Sequence, residues 1–127
     1  MKLKHVLLID DNELDNYISK HIISQSKMAD KITVRSSAIE ALAYLETLNK
    51  NPDEFPDVIF LDINMPVMDG FGFLEEFSKF PENVISKSSV FMLTSSDDPK
   101  DKLNAAQFPA VKKILTKPLK LTMLENL

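Results

Sequence analysis

The chain has 127 residues, 44% hydrophobic and 27% charged, with a formal net charge of −4 and no cysteine. That is the composition of one ordinary globular domain with a single core. It excludes a disulfide framework and a thiolate metal site, and an acidic balance without a basic run argues against nucleic-acid binding through this domain. No apolar stretch reaches membrane-spanning length and the N-terminus carries no signal-peptide apolar region, so a cytoplasmic protein without membrane contact is expected.

Strand and helix patterns alternate along the whole chain, which predicts a parallel sheet flanked by helices. The first strand covers about residues 5–10 and holds the apolar run Val6-Leu7-Leu8-Ile9. Asn12 is a good N-cap for the next helix, which carries Leu14, Ile18 and Ile22 at i+4 spacing. Ile32-Thr33-Val34 reads as a short second strand. Ser37-Ala38-Ile39-Glu40 is a capping-box sequence and opens a helix with Leu42, Leu45 and Leu48 inward. Asn51-Pro52-Asp53 and Phe55-Pro56 break the chain before a third strand, Val58-Ile59-Phe60-Leu61. Asp69-Gly70 opens a helix with Phe73, Leu74 and Phe77 on one face, and the Phe-rich stretch, Phe71 included, is read as core. Residues 81–89 read as a loop with a brief extended piece at Val84-Ile85. Val90-Phe91-Met92-Leu93 is a fourth strand. Asp98-Pro99, an N-cap followed by proline at the first helical position, opens a short helix over about 100–107. A fifth strand covers about 112–115, and a last helix starts after Pro118 and has only about two turns before Leu127. Such helices commonly run ten residues or more, so this one is expected to be clipped or to continue in a longer chain.

The strand ends carry the chemistry. Asp10-Asp11 follows the first run, Asp62 the third, Thr94 the fourth, and Thr116-Lys117-Pro118 the fifth. Parallel strands bring their C-terminal ends to one edge, where open α/β sheets bind ligands. Crowded carboxylates repel unless a cation sits among them, and oxygen donors without His or Cys favour Mg²⁺ over Zn²⁺. Three carboxylates, a hydroxyl and an ammonium therefore suggest a divalent cation and a phosphoryl group. Singly, each signal has a plainer reading. Asp10-Asp11 suits a helix N-terminus, Thr94 is a β-branched strand residue, and Lys117 is a solvated lysine. Ser95 and Ser96 suit a turn or a cap, and His5 and His21 have no partner of their own. The Lys117-Pro118 bond has a cis option that aims Lys117 back over the edge.

In combination and in this order, these residues resemble the receiver domain of bacterial two-component response regulators, such as the single-domain chemotaxis regulator. The strongest segment is Leu61-Asp62-Ile63-Asn64-Met65-Pro66-Val67-Met68-Asp69-Gly70, close to the family's phosphoacceptor signature. Leu-Ile-Asp-Asp at 8–11, Met-Leu-Thr-Ser at 92–95 and Lys117-Pro118 match at the expected spacing, and the likeness covers essentially the whole chain.

The resemblance implies one receiver domain over 1–127 with an α/β, doubly wound, five-stranded parallel sheet. Its strand order would be 2-1-3-4-5, in a flavodoxin-like three-layer sandwich. It implies Mg²⁺ as cofactor, with Asp11 a direct ligand, Asp10 acting mainly through water and Asn64 contributing its backbone carbonyl. Asp62 would be the phosphoacceptor and a metal ligand, Lys117 would pair with a phosphoryl oxygen, and Thr94 would bond the attached phosphoryl group. The implied partners are a histidine kinase or histidine phosphotransfer protein and a downstream protein target. The chain would then be a signalling domain, not an enzyme.

Two positions depart from the family. Ile114 stands three residues before the lysine, where Tyr or Phe is usual, and Lys113 stands where glycine is common. A rotating aromatic ring is therefore not available to the output surface over 100–127. Two other readings compete. A Mg²⁺-dependent phosphohydrolase with an aspartyl nucleophile needs a proton-transferring Asp two residues on, where Asn64 stands. An unphosphorylated interaction module would have no need of all five edge groups.

Overall fold

The apolar runs at 6–9, 58–61 and 90–93 form the three central strands of one sheet, buried on both faces. In the computed structural model, which describes residues 3–127, the strands are β1 (Leu3–Ile9), β2 (Ala29–Arg35), β3 (Val58–Asp62), β4 (Ser89–Thr94) and β5 (Val111–Thr116). All pairings are parallel and the order is β2-β1-β3-β4-β5. The expected doubly wound, flavodoxin-like sheet is the one found.

Alternation along each strand splits the core in two. Leu7, Ile9, Ile59, Leu61, Val90 and Met92 face one side, with Leu45, Phe73 and Phe77. Val6, Leu8, Phe60, Phe91 and Leu93 face the other, with Ile23, Leu119 and Leu124. The first side is covered by α2 (Ala38–Leu48), α3 (Gly70–Phe77) and α5 (Pro99–Ala105), the second by α1 (Glu13–Ser26) and α6 (Leu121–Glu125).

The helix starts follow the sequence closely because their caps are local. Asn12 Oδ1 accepts from Asp15 N–H at 2.9 Å, Ser37 Oγ from Glu40 N–H at 3.1 Å, Asp69 Oδ1 from Gly72 N–H at 2.8 Å and Asp98 Oδ1 from Lys100 N–H at 2.9 Å.

Three readings need correction. Residues 81–89 are not an extended loop: Glu82–Ile85 form a one-turn helix, α4, that plants Val84 in the core. The second strand runs through seven residues rather than three, because as an edge strand it tolerates exposed Asp30 and Lys31. On α1 the apolar i+4 spacing divides: Leu14 is 65% exposed and Ile18 is exposed, Ile22 packs against the core, and Asn16, Ser19 and Ile23 are the buried residues. Small polar residues let α1 lie close to the end of β1, where Asn16 bonds the Asp10 carbonyl.

His5 is structural. Its ring is buried between the Glu54 carbonyl, 2.9 Å from Nδ1, and Thr33 Oγ1, 2.8 Å from Nε2. Burial holds its pKa below the ordinary histidine range.

Candidate functional site

The ends of β1, β3, β4 and β5 bring Asp10, Asp62, Thr94 and Lys117 to one edge, as the strand reading predicts. Asp10, Asp62 and Thr94 are buried, and Asp11 is exposed at the mouth. Asp10, Asp11 and Asp62 each offer a carboxylate oxygen, and these lie within 4.8 Å of one another. This is an all-oxygen donor set of the kind that suits a hard divalent cation.

Local structure fixes each group. Asp10 Oδ1 accepts from Asn12 N–H at 3.0 Å, and Asn16 Nδ2 donates to the Asp10 carbonyl at 2.7 Å. Asp62 is the last residue of β3, followed by Ile63, whose carbonyl accepts from Gly70 N–H at 2.9 Å. That bond draws the start of α3 onto the strand end. A methyl group on Gly70 would lie 2.8 Å from the Asp62 carbonyl oxygen, so only glycine allows the approach. The Lys117–Pro118 peptide bond is cis. Lys117 N–H donates to the Thr94 carbonyl at 2.7 Å, tying the ends of β4 and β5 together.

The Lys117 ammonium is shared by three carboxylates. Nζ lies 2.7 Å from Asp10 Oδ2, 2.9 Å from Asp15 Oδ2 and 3.3 Å from Asp62 Oδ1. The ion pair is what holds Asp10 Oδ2, which has no other hydrogen-bond partner among the described residues. Burial by itself would lower the lysine's pKa, but its bonds to Asp10 and Asp15 and the charge of Asp62 hold it well above its ordinary value. Asp62 is pushed up to about 6 by burial and by the Asp10 charge, against the opposing pull of Lys117 and the Asn64 backbone N–H.

Thr94 faces its own turn. Its hydroxyl donates to the Ser96 carbonyl at 2.9 Å and accepts from Ser96 N–H at 3.1 Å. Ser95 and Ser96 are thus part of a turn, one of the two readings their sequence allows. Between Thr94 and half-buried Ile114 opens a cleft of about 190 Å³, lined also by Thr116, Asp98 and Asp101. Asn64 is exposed beside Asp62.

The sequence reading missed Asp15. The available signal was its place three residues after the Asn12 cap and four after Asp11, one helical turn from the acidic pair. It also missed Asn16, whose role rests on a contact with the Asp10 backbone that no spacing announces.

The loop after Asp62 holds one strained residue. Val67 has φ = 70° and is 97% exposed, a left-handed conformation that opposes its branched Cβ. Val67→Asn is expected to raise stability by roughly 1 kcal/mol, read by urea denaturation, since nothing is packed on the lost methyls.

The profile of the response regulator receiver domain family matches residues 6–127. The chain belongs to that family. It superimposes on the crystal structure of a two-component response regulator from Cytophaga hutchinsonii with a TM-score of 0.91 and 32% identity, covering 99% of this chain and 94% of that one. A two-component response regulator of Arabidopsis thaliana is 30% identical, with 97% of this chain and 81% of the relative covered. A protein-glutamate methylesterase/protein-glutamine glutaminase of Thiobacillus denitrificans is 34% identical over 71% of this chain, which spans only 24% of that protein's length. The family is a signalling domain of two-component systems, and in the methylesterases it is one part of a longer chain. Among the described residues no helix is long and apolar enough to cross a membrane.

Proposed function

We propose that this chain, as a single receiver domain over 1–127, is a phosphorylation-dependent switch in the cytoplasm. In this reading Asp62 takes a phosphoryl group from a histidine kinase or histidine phosphotransfer protein, and the altered surface engages a downstream protein. The domain itself, in this reading, engages neither nucleic acid nor membrane. The observation that carries the reading is the buried Asp62 carboxylate at the end of β3. Its Oδ1 is 3.3 Å from Lys117 Nζ, and carboxylate oxygens of Asp10 and Asp11 lie within 4.8 Å.

A carboxylate oxygen of Asp62 attacks phosphorus in line with the departing imidazole. The O–P bond forms as the P–N bond breaks, and the imidazole leaves with the bonding pair. Asp10, Asp11 and Asp62, with the Asn64 backbone carbonyl, are the residues that would hold Mg²⁺. When bound, the ion supplies positive charge that favours ionised Asp62 and offsets the phosphoryl oxygens. Lys117 exchanges Asp62 for a phosphoryl oxygen. The Thr94 hydroxyl exchanges the Ser96 carbonyl for another and draws the 95–99 loop inward. Ile114 fills part of the space beside Thr94 without the hydrogen bond that an aromatic hydroxyl would supply there, so the change spreads mainly through the loop.

Incubation with acetyl phosphate and Mg²⁺, followed by intact-mass spectrometry, is expected to show one added phosphoryl group per chain. An unmodified mass with several small donors would favour the interaction-module reading instead.

A further inference from the structure

We infer that Asp15 is a positioning residue that competes with the phosphoryl group for Lys117. The inference rests on the phosphoacceptor reading of Asp62. Asp15 is the third residue of α1, and its backbone is fixed by the Asn12 cap at 2.9 Å. The helix dipole accounts for an acid in that turn, and Glu13 shares the turn, but only Asp15 is aimed at Lys117, at 2.9 Å across 102 residues of sequence.

The three carboxylates on the ammonium are not equivalent. Asp10 and Asp62 belong to the cluster that would hold a cation; Asp15 does not. A cation at that cluster weakens the hold of Asp10 and Asp62 on Lys117 and leaves the hold of Asp15 intact. Asp15 is therefore the carboxylate from which a phosphoryl oxygen must still win the ammonium. Its side chain is 36% exposed, so water hydrates it when the ammonium moves, and the competition is worth a few-fold rather than thousands.

The test is beryllofluoride with Mg²⁺, an aspartyl-phosphate mimic, titrated into the full chain and followed by backbone NMR. Asp15→Asn keeps the shape and removes the charge. It is expected to tighten beryllofluoride binding by about fivefold or more, the lower end of typical coupling between sites. In a Lys117→Gln background the same change is expected to have less than about half that effect, as a double-mutant cycle requires of residues acting through each other. Unchanged or weaker binding in Asp15→Asn would overturn the inference, as would equal tightening in both backgrounds, which would mark plain charge repulsion. Wild-type chain that takes up no beryllofluoride would overturn the phosphoacceptor reading and this inference with it, whereas uptake with Asp15→Asn unaltered would sink the inference alone.

Discussion

Replacing Asp62 by Asn is expected to end phosphoryl addition from acetyl phosphate and, in metal-free protein at pH 7, to stabilise the fold. The two effects share a cause. The carboxylate that must be ionised to attack phosphorus is buried at the end of β3 beside Asp10, and its pKa is raised to about 6. A folded pKa above the unfolded value of 3.8 means that the folded state holds the proton more tightly. The resulting stabilisation is complete below the unfolded value and is lost as pH rises through about 6. At neutral pH the metal-free fold therefore carries a buried negative charge that Lys117, shared three ways, only partly offsets. Asn removes that charge, keeps the shape and leaves Lys117 with Asp10 and Asp15. The expected gain is roughly 1–3 kcal/mol at pH 7, shrinking toward zero near pH 4. Thermal unfolding at the two pH values without metal checks it. A variant less stable than wild type at pH 7 would contradict the electrostatic account, and one still phosphorylated to wild-type level would place the acceptor elsewhere.

Asp11→Ala is expected to weaken Mg²⁺ binding more than any other change outside Asp62, by more than about tenfold, while leaving the metal-free fold within about 0.5 kcal/mol of wild type. Asp11 is exposed at the mouth of the site, so its carboxylate is free to serve a cation and supports little else. Asp10 differs: its two oxygens already serve Asn12 N–H and Lys117. Asp10→Ala therefore disturbs the fold and the metal together. Calorimetric titration with Mg²⁺ and urea denaturation separate the two. Affinity in wild type is expected to fall below about pH 6, as Asp62 takes up its proton. Equal affinity in wild type and Asp11→Ala would remove Asp11 from the metal set.

Much of this molecule is legible in its sequence, for a physical reason. A strand buried on both faces needs a continuous apolar run, and such runs end abruptly where the chain meets the edge of the sheet. The polar residues at 10, 62 and 94 are conspicuous because each stands at such an end, and Lys117 follows the short pair Ile114-Leu115 of an edge strand. Caps are equally local, since Asn12, Ser37, Asp69 and Asp98 bond groups two or three residues away. What the sequence left open depends on distant partners. The α1 face was set by the need to lie close to the sheet, which buries Asn16 and Ser19 and turns Leu14 to solvent. The turn at Glu82–Ile85 places Val84 in the core, among residues distant in the sequence.

The site divides in the same way. The sequence by itself determined which groups reach the edge, because parallel strands must end together and each group is tied to its strand by one or two bonds. Only the tertiary structure decided how those groups share charge. Lys117 meets Asp15 across 102 residues, and no pattern along the chain encodes that meeting. It follows from where the start of α1 stands relative to the chain just past β5, as the Asp62 pKa follows from its burial and from Asp10 on the neighbouring strand. Electrostatic coupling depends on distances of a few ångströms between elements, and sequence spacing fixes distance only within an element.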